Sequence, residues 1–277
     1  MKKSKHLFLV LAGEIIFLFA GFSGASQDHP TTGYWAMEGT LVTHHFKQED
    51  DSLSGPELYE LQDEEGLPIW FGRHIFKDVC ISGVCKMIRL WLFWDGAGNY
   101  LGMQIPEDKP LTKSDHTEFE PDDYKKLEGI LRDTRSILKD LEQEDLIIIP
   151  DTIDLYEVDG YTAATQPTLA EAVVKDAVYT CYTLWHTVYG PVQTRIYQML
   201  ENRLSKEYLE KMFNSEKPDY ILQAIRTVDP HPEFHPDFYQ KIMKFIASQD
   251  EIVAREALKY FKPGYLDNIV IQQELAD

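Results

Sequence analysis

The chain has 277 residues, of which 44% are hydrophobic, and a formal net charge of −19. This hydrophobic content is sufficient for a packed core, so global disorder is excluded. A strongly acidic surface repels nucleic acid and anionic lipid, which excludes partners of those classes. The length fits one large domain or two of ordinary size.

The N-terminus has the pattern of a secretory signal. A basic stretch at residues 1–5 precedes an apolar run at 7–22 and small residues at 23–26. The run is shorter than the roughly 18–20 residues that span a bilayer, and Glu14 interrupts it, which disfavours a membrane anchor. We therefore expect cleavage near Ala25, export to the periplasm or another extracytoplasmic space, and no membrane span after cleavage.

Residues 26–66 are acidic and weakly patterned, which indicates an N-terminal extension. Within it, His44 and His45 follow a candidate strand and are expected to be solvated. Residues 67–105 instead favour strands. A run rich in aromatic and branched residues at 86–94 is followed by the turn signal Asp-Gly-Ala-Gly-Asn at 95–99, and then by a returning strand at 100–105.

Two of the three cysteines are close together. Cys80 and Cys85 frame a Ser-Gly pair typical of a two-residue hairpin turn, and in that register their Cα atoms approach closely enough for a disulfide. Such a bond persists outside the cytoplasm, so we interpret the pair as a structural disulfide. A dithiol redox site or a metal-binding pair is the alternative, although Cys-x-x-Cys spacing is absent. Cys181 is expected to be a buried small hydrophobe.

Helical periodicity begins in the middle of the chain. A short helix is predicted at 121–131, with one apolar face formed by Tyr124, Leu127, Ile130 and Leu131. Residues 146–149 and 153–158 are candidate buried strands. A capping-box pattern at 168–171 predicts the start of a long helix that runs to Tyr189, where Gly-Pro stops it. This helix is apolar on most sides, which predicts burial against a sheet.

After residue 190 the pattern becomes purely helical. Helices are predicted near 194–204, 206–214, 218–228, 236–247 and 249–261. Ala-hydrophobe pairs at 224–225 and 257–258 are 33 residues apart, a spacing typical of HEAT-like repeats, although a plain helical bundle fits equally well. The predicted core of these helices consists of Tyr220, Ile221, Ala224, Ile225, Phe238, Ile242, Phe245 and Leu258.

The segment 231–235, His-Pro-Glu-Phe-His, contains two histidines and a glutamate. Metal binding is one interpretation. A linker between helices is favoured, because prolines flank and interrupt the segment. We therefore predict no metal site.

Residues 159–165 read Asp-Gly-Tyr-Thr-Ala-Ala-Thr. This segment resembles the flavinylation motif of the FMN-binding domain family, Asp-x-x-Ser/Thr-Gly-Ala-Thr, a family that includes the C subunit of sodium-pumping NADH:quinone reductase. The match covers Asp159, Thr162, Ala164 and Thr165, while Ala163 replaces the glycine of the family pattern. Including the order of strands, motif and helix, the resemblance extends over about residues 67–190.

The resemblance implies FMN joined through its phosphate to the hydroxyl of Thr165, by a separate flavin transferase that uses FAD. Asp159 and Thr162 would orient the approach of that donor, and the small side chains of Ala163 and Ala164 would leave room for it. A phosphate at Thr165 would also lie near the N-terminus of the predicted long helix, where free N–H groups favour anions.

Aromatic side chains near the motif are candidate neighbours of the flavin ring, because aromatic faces can stack on it. Tyr161 lies inside the motif, and Trp94 lies at the predicted hairpin turn. For Trp94, ordinary core packing is the favoured interpretation.

The sequence thus predicts an α+β chain: a signal peptide at 1–25, an extension at 26–66, an FMN-binding-like domain at 67–190 and a helical repeat or bundle domain at 191–277. In the FMN-binding-like domain, an antiparallel sheet packs on a long helix. The predicted function is electron transfer outside the cytoplasm, as a carrier without a substrate of its own. The alternative is a flavin-free binding or scaffold protein whose helices hold a protein partner.

Overall fold

A computed structural model describes residues 32–45, 54–79, 86–146 and 167–261 of the chain. The chain divides into two compact units, Met1–Met37 and Glu38–Asp277. In the first unit, the described residues contain a 3-10 turn at Gly33–Ala36. All elements that follow belong to the second unit.

The second unit is built on an antiparallel sheet of five strands, in which each strand pairs with the next along the chain. The strands are β1 Thr40–His45, β2 Glu57–Gln62, β3 Pro68–Lys77, β4 Ile88–Asp95 and β5 Tyr100–Gln104. The register places Phe71 opposite Trp94 and Leu92 opposite Met103. The predicted strands within 67–105 and the antiparallel sheet are therefore confirmed. The strand β2 was not predicted.

Four helices follow the sheet and share a core with it: α1 Pro121–Arg132, α2 Pro167–Ala170, α3 Val178–Val188 and α4 Pro191–Arg203. The first begins with proline and a capping box, in which Glu120 and Asp123 each accept a backbone hydrogen bond from the other's residue. The shared core, here called the sheet core, includes Phe71, Leu92, Trp94, Leu127, Leu184, Val188 and Ile196. The helix predicted at 121–131 is thus confirmed.

The long helix predicted from 168 to 189 is wrong in its first half. The short α2 ends at Ala170, and α3 begins only at Val178. Between them, Asp176 has a left-handed backbone with φ of 59°, which a right-handed helix cannot accommodate. Its carbonyl accepts a hydrogen bond from the Ser114 amide at 2.8 Å. The intervening turn buries Val173 in the sheet core, so apolar residues that suggested one helix instead line a turn.

Four further helices complete the unit: α5 Lys206–Asn214, α6 Pro218–Val228, α7 His235–Phe245 and α8 Glu251–Tyr260. With α4, they match the five segments predicted after residue 190. Their apolar faces form the helical core, which includes Leu209, Phe213, Ala224, Ile225, Phe238, Ile242 and Ala257. The prediction that Leu258 belongs to this core is wrong, because it is 58% exposed. The buried face of α8 follows Val253, Ala257 and Tyr260, and Leu258 lies outside that stripe.

The two cores meet at the turns of the sheet. Leu67, in the turn between β2 and β3, is buried in the helical core. The Tyr220 hydroxyl donates a hydrogen bond to the Pro68 carbonyl at 3.3 Å. In the turn between β4 and β5, the Gly96 carbonyl accepts a hydrogen bond from Gln223 at 3.0 Å. Side chains of the helices therefore satisfy backbone groups that a hairpin turn would otherwise expose to water.

Candidate functional site

The predicted flavin-attachment residues lie outside the described residues: Asp159, Tyr161, Thr162, Ala163, Ala164 and Thr165. The same holds for Cys80 and Cys85, and for the predicted signal at 1–25. The flanks of the flavin motif are described. Leu146 and Leu169 are both fully buried and both belong to the sheet core. Both flanks of the segment that carries the motif are therefore packed in the same core.

The long helix expected to begin just after Thr165 is absent. The element that follows the motif, α2, contains only four residues, and α3 begins 13 residues after Thr165. The influence of a helix dipole falls off within its first turn. The dipole of a long helix, which the sequence predicted after the motif, is therefore not present there.

A cleft of about 520 Å³ lies beside α1. We call it the lysine cleft. It is lined by Lys125, Lys126, Gly129, Ile130, Asp133, Ser136, Ile137 and Ala172. Four of these residues come from α1, and Asp133 directly follows its end. Ser136 and Ile137 come from the start of the 3-10 turn that follows, and Ala172 comes from the turn after α2. Its volume is in the range of small-molecule sites in proteins.

The charges in the lysine cleft are mostly uncompensated. Lys125 and Lys126 are exposed, and neither forms a hydrogen bond or ion pair with another residue of the described ranges. Nearby, Lys113 differs, since it forms an ion pair with Asp123 at 2.8 Å. The carboxylate of Asp133 accepts a hydrogen bond from the Arg135 amide at 2.9 Å. Two lysines and one carboxylate leave the cleft positive in a chain of net charge −19.

The wall of the lysine cleft contains an unfilled space at Gly129. This residue lies inside α1, where glycine costs about 1 kcal/mol relative to alanine. A Cβ atom placed there would have no atom within 4 Å. Ile137 lines the same cleft and is 46% exposed. The cleft therefore combines apolar walls and free space with cations.

A second cleft, of about 320 Å³, is lined by Ile105, Pro106, Glu107, Pro110 and Tyr124. The Tyr124 hydroxyl accepts a hydrogen bond from the Leu111 amide at 3.1 Å, so this group is already engaged. Its lining contains one carboxylate and no cation. The chemistry of this cleft disfavours an anionic ligand, in contrast to the lysine cleft.

A buried charge cluster on β2 was not predicted. The Glu60 side chain is 0% exposed and accepts two hydrogen bonds from the Arg203 guanidinium, at 2.5 and 2.7 Å. The Gln62 amide donates a third at 2.8 Å, and His44 Nε2 lies 2.6 Å from the second carboxylate oxygen. The expectation that His44 is solvated is wrong, because this contact half-buries it, whereas His45 is exposed.

Burial and hydrogen bonding shift the pKa of the Glu60 carboxyl in opposite directions. Burial alone would raise the pKa of its carboxyl, but the hydrogen bonds from Arg203, Gln62 and His44 outweigh this effect and hold the pKa below the ordinary value of 4.5. Glu60 is therefore ionised at neutral pH. The cluster connects β1 and β2 with the last residue of α4, and every carboxylate oxygen has a partner, which is the arrangement of a structural ion pair.

Several residues considered in the sequence are part of the packing. Cys181 is buried, and burial raises the pKa of its thiol to about 12, which confirms its prediction as a buried small hydrophobe. The predicted core packing of Trp94 is confirmed too, since it is buried and its indole N–H donates to the Val188 carbonyl at 3.0 Å. His235 contacts the Val228 carbonyl at 3.0 Å. Within the described ranges, no cluster of three His, Cys, Asp or Glu residues could hold a metal.

Comparison of the chain with models of known protein families, with curated proteins and with solved structures finds no match. Across the described parts of the chain, no helix has the length and apolar character needed to cross a membrane.

Proposed function

We propose that this chain is an exported electron carrier that bears FMN covalently on Thr165. The observation that carries the proposal is the motif formed by Asp159, Thr162, Ala164 and Thr165. The buried Leu146 and Leu169 support it, because they attach both flanks of the motif segment to one packed core. An anchored segment can present a hydroxyl to a modifying enzyme while the fold remains intact.

The attachment chemistry is a phosphoryl transfer. The Thr165 hydroxyl oxygen attacks the phosphorus on the FMN side of the FAD pyrophosphate, and a new P–O bond forms. The bond between the two phosphates breaks, AMP leaves with the bridging oxygen, and the hydroxyl proton is released. A flavin transferase supplies the active site for this step. Bound FMN then supplies the redox chemistry, and the chain supplies its attachment and surroundings.

A test of the proposal is co-expression of the chain with a flavin transferase, followed by denaturing electrophoresis and ultraviolet illumination. A fluorescent band is expected, because only a covalent flavin survives denaturation. Thr165→Val should abolish the band, whereas Thr162→Val should weaken it. Thr152→Val, a matched change outside the motif, should leave it unchanged. A non-fluorescent band with several transferases would contradict the proposal.

Ala163 is the position at which the motif departs from the family pattern. Alanine is nearly as small as glycine but reaches positive φ much less easily. Ala163→Gly should therefore increase the yield of covalent flavin if the transferase requires that backbone conformation. An unchanged yield would indicate that the loop is accepted with alanine.

A flavin-free scaffold protein with two helical repeats is the second candidate. It is favoured by the fully buried Ala224 and Ala257, which lie 33 residues apart in α6 and α8. The correspondence stops at the next position, where Ile225 is buried and Leu258 is exposed. In this case the helices would hold a protein partner, and the electrophoresis experiment would show no flavin.

A further inference from the structure

We infer that the lysine cleft binds the flavin. The apolar wall of the cleft would contact the flavin ring system, and the cleft lysines would lie near the flavin phosphate. The identification of the ligand as FMN rests on the proposed function. The class of ligand follows from the cleft itself. Ile137, which is 46% exposed, offers apolar surface, and Lys125 and Lys126 offer two exposed cations that form no ion pair within the described ranges. A planar aromatic molecule that carries a phosphate satisfies both features.

The space at Gly129 supports a ligand rather than internal packing. A glycine inside a helix allows another group to approach the backbone closely. In α1 no described protein atom fills this role, since a Cβ at Gly129 would meet nothing within 4 Å. The missing side chain thus leaves an indentation in the cleft wall, bordered by Lys125, Lys126 and Ile130. A flat ring could contact the helix backbone there.

The cleft is within reach of the attachment residue. Ala172 lines the cleft, and its amide donates to the Leu169 carbonyl at 2.9 Å, which makes the chain compact at this point. Only Gln166 lies between Thr165 and the start of α2 at Pro167. From backbone dimensions, the Cα atoms of Thr165 and Ala172 are at most about 20 Å apart. A cofactor attached at Thr165 is therefore connected to the cleft by a short stretch of chain.

The cleft also replaces the charge that the sequence had assigned to a helix end. With α2 only four residues long, the phosphate needs another source of positive potential. Lys125 and Lys126 supply it, and Asp133 opposes it only in part, since one carboxylate faces two ammonium groups. The Ser136 hydroxyl accepts from the Leu138 amide and keeps its own proton to donate. Among the lining side chains, the two lysines are the cations that an anion would meet.

The first experiment uses the full mature chain without covalent flavin and titrates it with free FMN, following the quenching of flavin fluorescence. Gly129→Leu should fill the indentation and weaken binding about ten-fold or more. Because a Cβ at Gly129 would meet nothing within 4 Å and leucine favours a helix more than glycine does, the melting temperature of the variant should equal or exceed that of the wild type. An equally stable Gly129→Leu variant that binds FMN normally would overturn the inference.

The second experiment separates ring from phosphate. The double variant Lys125→Gln/Lys126→Gln should weaken the affinity for FMN about five-fold. Its affinity for riboflavin, which lacks the phosphate, should be unchanged. Gly129→Leu should weaken the binding of both FMN and riboflavin. The matched control Lys109→Gln/Lys139→Gln removes two exposed lysines outside the cleft and should change neither affinity. Equal effects of the two double variants would show only a general effect of net charge and overturn the assignment.

A third measurement distinguishes this inference from the proposed function. In chain labelled at Thr165, iodide should quench native flavin fluorescence more strongly for Gly129→Leu than for the wild type. If both proteins are labelled but iodide quenches their flavin fluorescence equally, attachment at Thr165 is supported and binding of the flavin in the cleft is contradicted. Binding of free FMN that depends on Gly129, without covalent labelling, supports the cleft and contradicts attachment at Thr165. No binding and no labelling contradict both.

Discussion

The sheet core and the helical core of this protein are assembled in different ways. In the sheet core, partners are distant in sequence, as when the Trp94 indole donates to the Val188 carbonyl. In the helical core, helices that are close in sequence pack together, and Phe213 of α5 stacks on Phe238 of α7 with ring centroids 5.1 Å apart. The first core depends on the complete topology. The second depends mainly on local amphipathic patterns.

The two cores also differ in how they place charge. The sheet core side of β2 contains the fully buried Glu60, with hydrogen bonds to all its oxygens. The helices α5 to α8 place charge at the surface, where Lys206 and Asp237 form a pair with both side chains at least 40% exposed. The difference teaches that a count of ion pairs says little about stability, because desolvation decides what the loss of one partner costs.

The largest expected effect comes from the centre of the helical core. Phe238→Ala removes a fully buried ring and should lower the free energy of unfolding by about 4 kcal/mol in urea. Leu258→Ala, on the neighbouring helix, should cost less than about 0.5 kcal/mol because Leu258 is exposed. We expect a single unfolding transition for both variants, since Tyr220 and Gln223 join the cores. Two separated transitions would show that the cores unfold independently.

The buried charge should produce the next largest effect. Glu60→Gln removes the counter-charge of Arg203 and should destabilise the chain by about 3 kcal/mol. The exposed pair provides the control, since Asp237→Asn should cost no more than about 1 kcal/mol. Urea unfolding of both variants measures the contrast. Equal losses would mean that Glu60 is effectively solvated.

Glu60 should also contribute to acid sensitivity. Its pKa is lowered in the folded chain, so its stabilisation is fully present above the unfolded pKa of about 4.5 and is lost as pH falls through the folded pKa. The free energy of unfolding of the wild type should therefore fall more steeply below pH 4.5 than that of Glu60→Gln. Parallel curves for the two proteins would contradict this assignment.

A smaller effect is expected from the predicted disulfide between Cys80 and Cys85. A bond that closes so short a loop should contribute roughly 2 kcal/mol, which Cys80→Ser/Cys85→Ser would remove. Labelling of the denatured, non-reduced protein should find one thiol, Cys181, among the three cysteines. In the native protein this thiol should be unreactive, because burial raises its pKa to about 12. Three reactive thiols after denaturation would exclude the bond.

The smallest effect concerns the junction of the two cores. Gln223→Ala removes the hydrogen bond to the Gly96 carbonyl and should cost about 1 kcal/mol. Gln240→Ala, an exposed residue of α7, should have no measurable effect. Thermal unfolding suffices for the comparison. A broader transition for Gln223→Ala would show that this contact keeps the cores cooperative.

The same difference between cores explains what the sequence could predict. The helices after residue 190 were located because their signals are local: Pro191 and Pro218 occupy first turns, and apolar residues recur at helical spacing. The strand β2 was not predicted because Glu60 interrupts its apolar pattern. Arg203, which compensates the charge of Glu60, lies 143 residues away. No window of sequence contains both members of that pair.

The candidate site was predictable to an intermediate degree. The motif at 159–165 is visible in the sequence, and Leu127, Ile130 and Leu131 mark the buried face of α1. The lysine cleft could not be predicted, because it needs residues from α1, from the turn after it and from Ala172 to converge. The break at Asp176 was missed for a similar reason, since its carbonyl is engaged by the distant Ser114.

The turn between β4 and β5 has a consequence for engineering. Tips of hairpins are commonly chosen for inserted tags or fused domains, because exposed loops tolerate added chain. Here the Gly98 carbonyl accepts from Gln193, and a Cβ on Gly96 would lie 2.0 Å from the Pro68 carbonyl oxygen. An insertion between these glycines would force the helices away from the strands. We therefore expect this hairpin tip not to tolerate epitope tags, split reporters or circular permutation, even though its sequence is a strong turn signal.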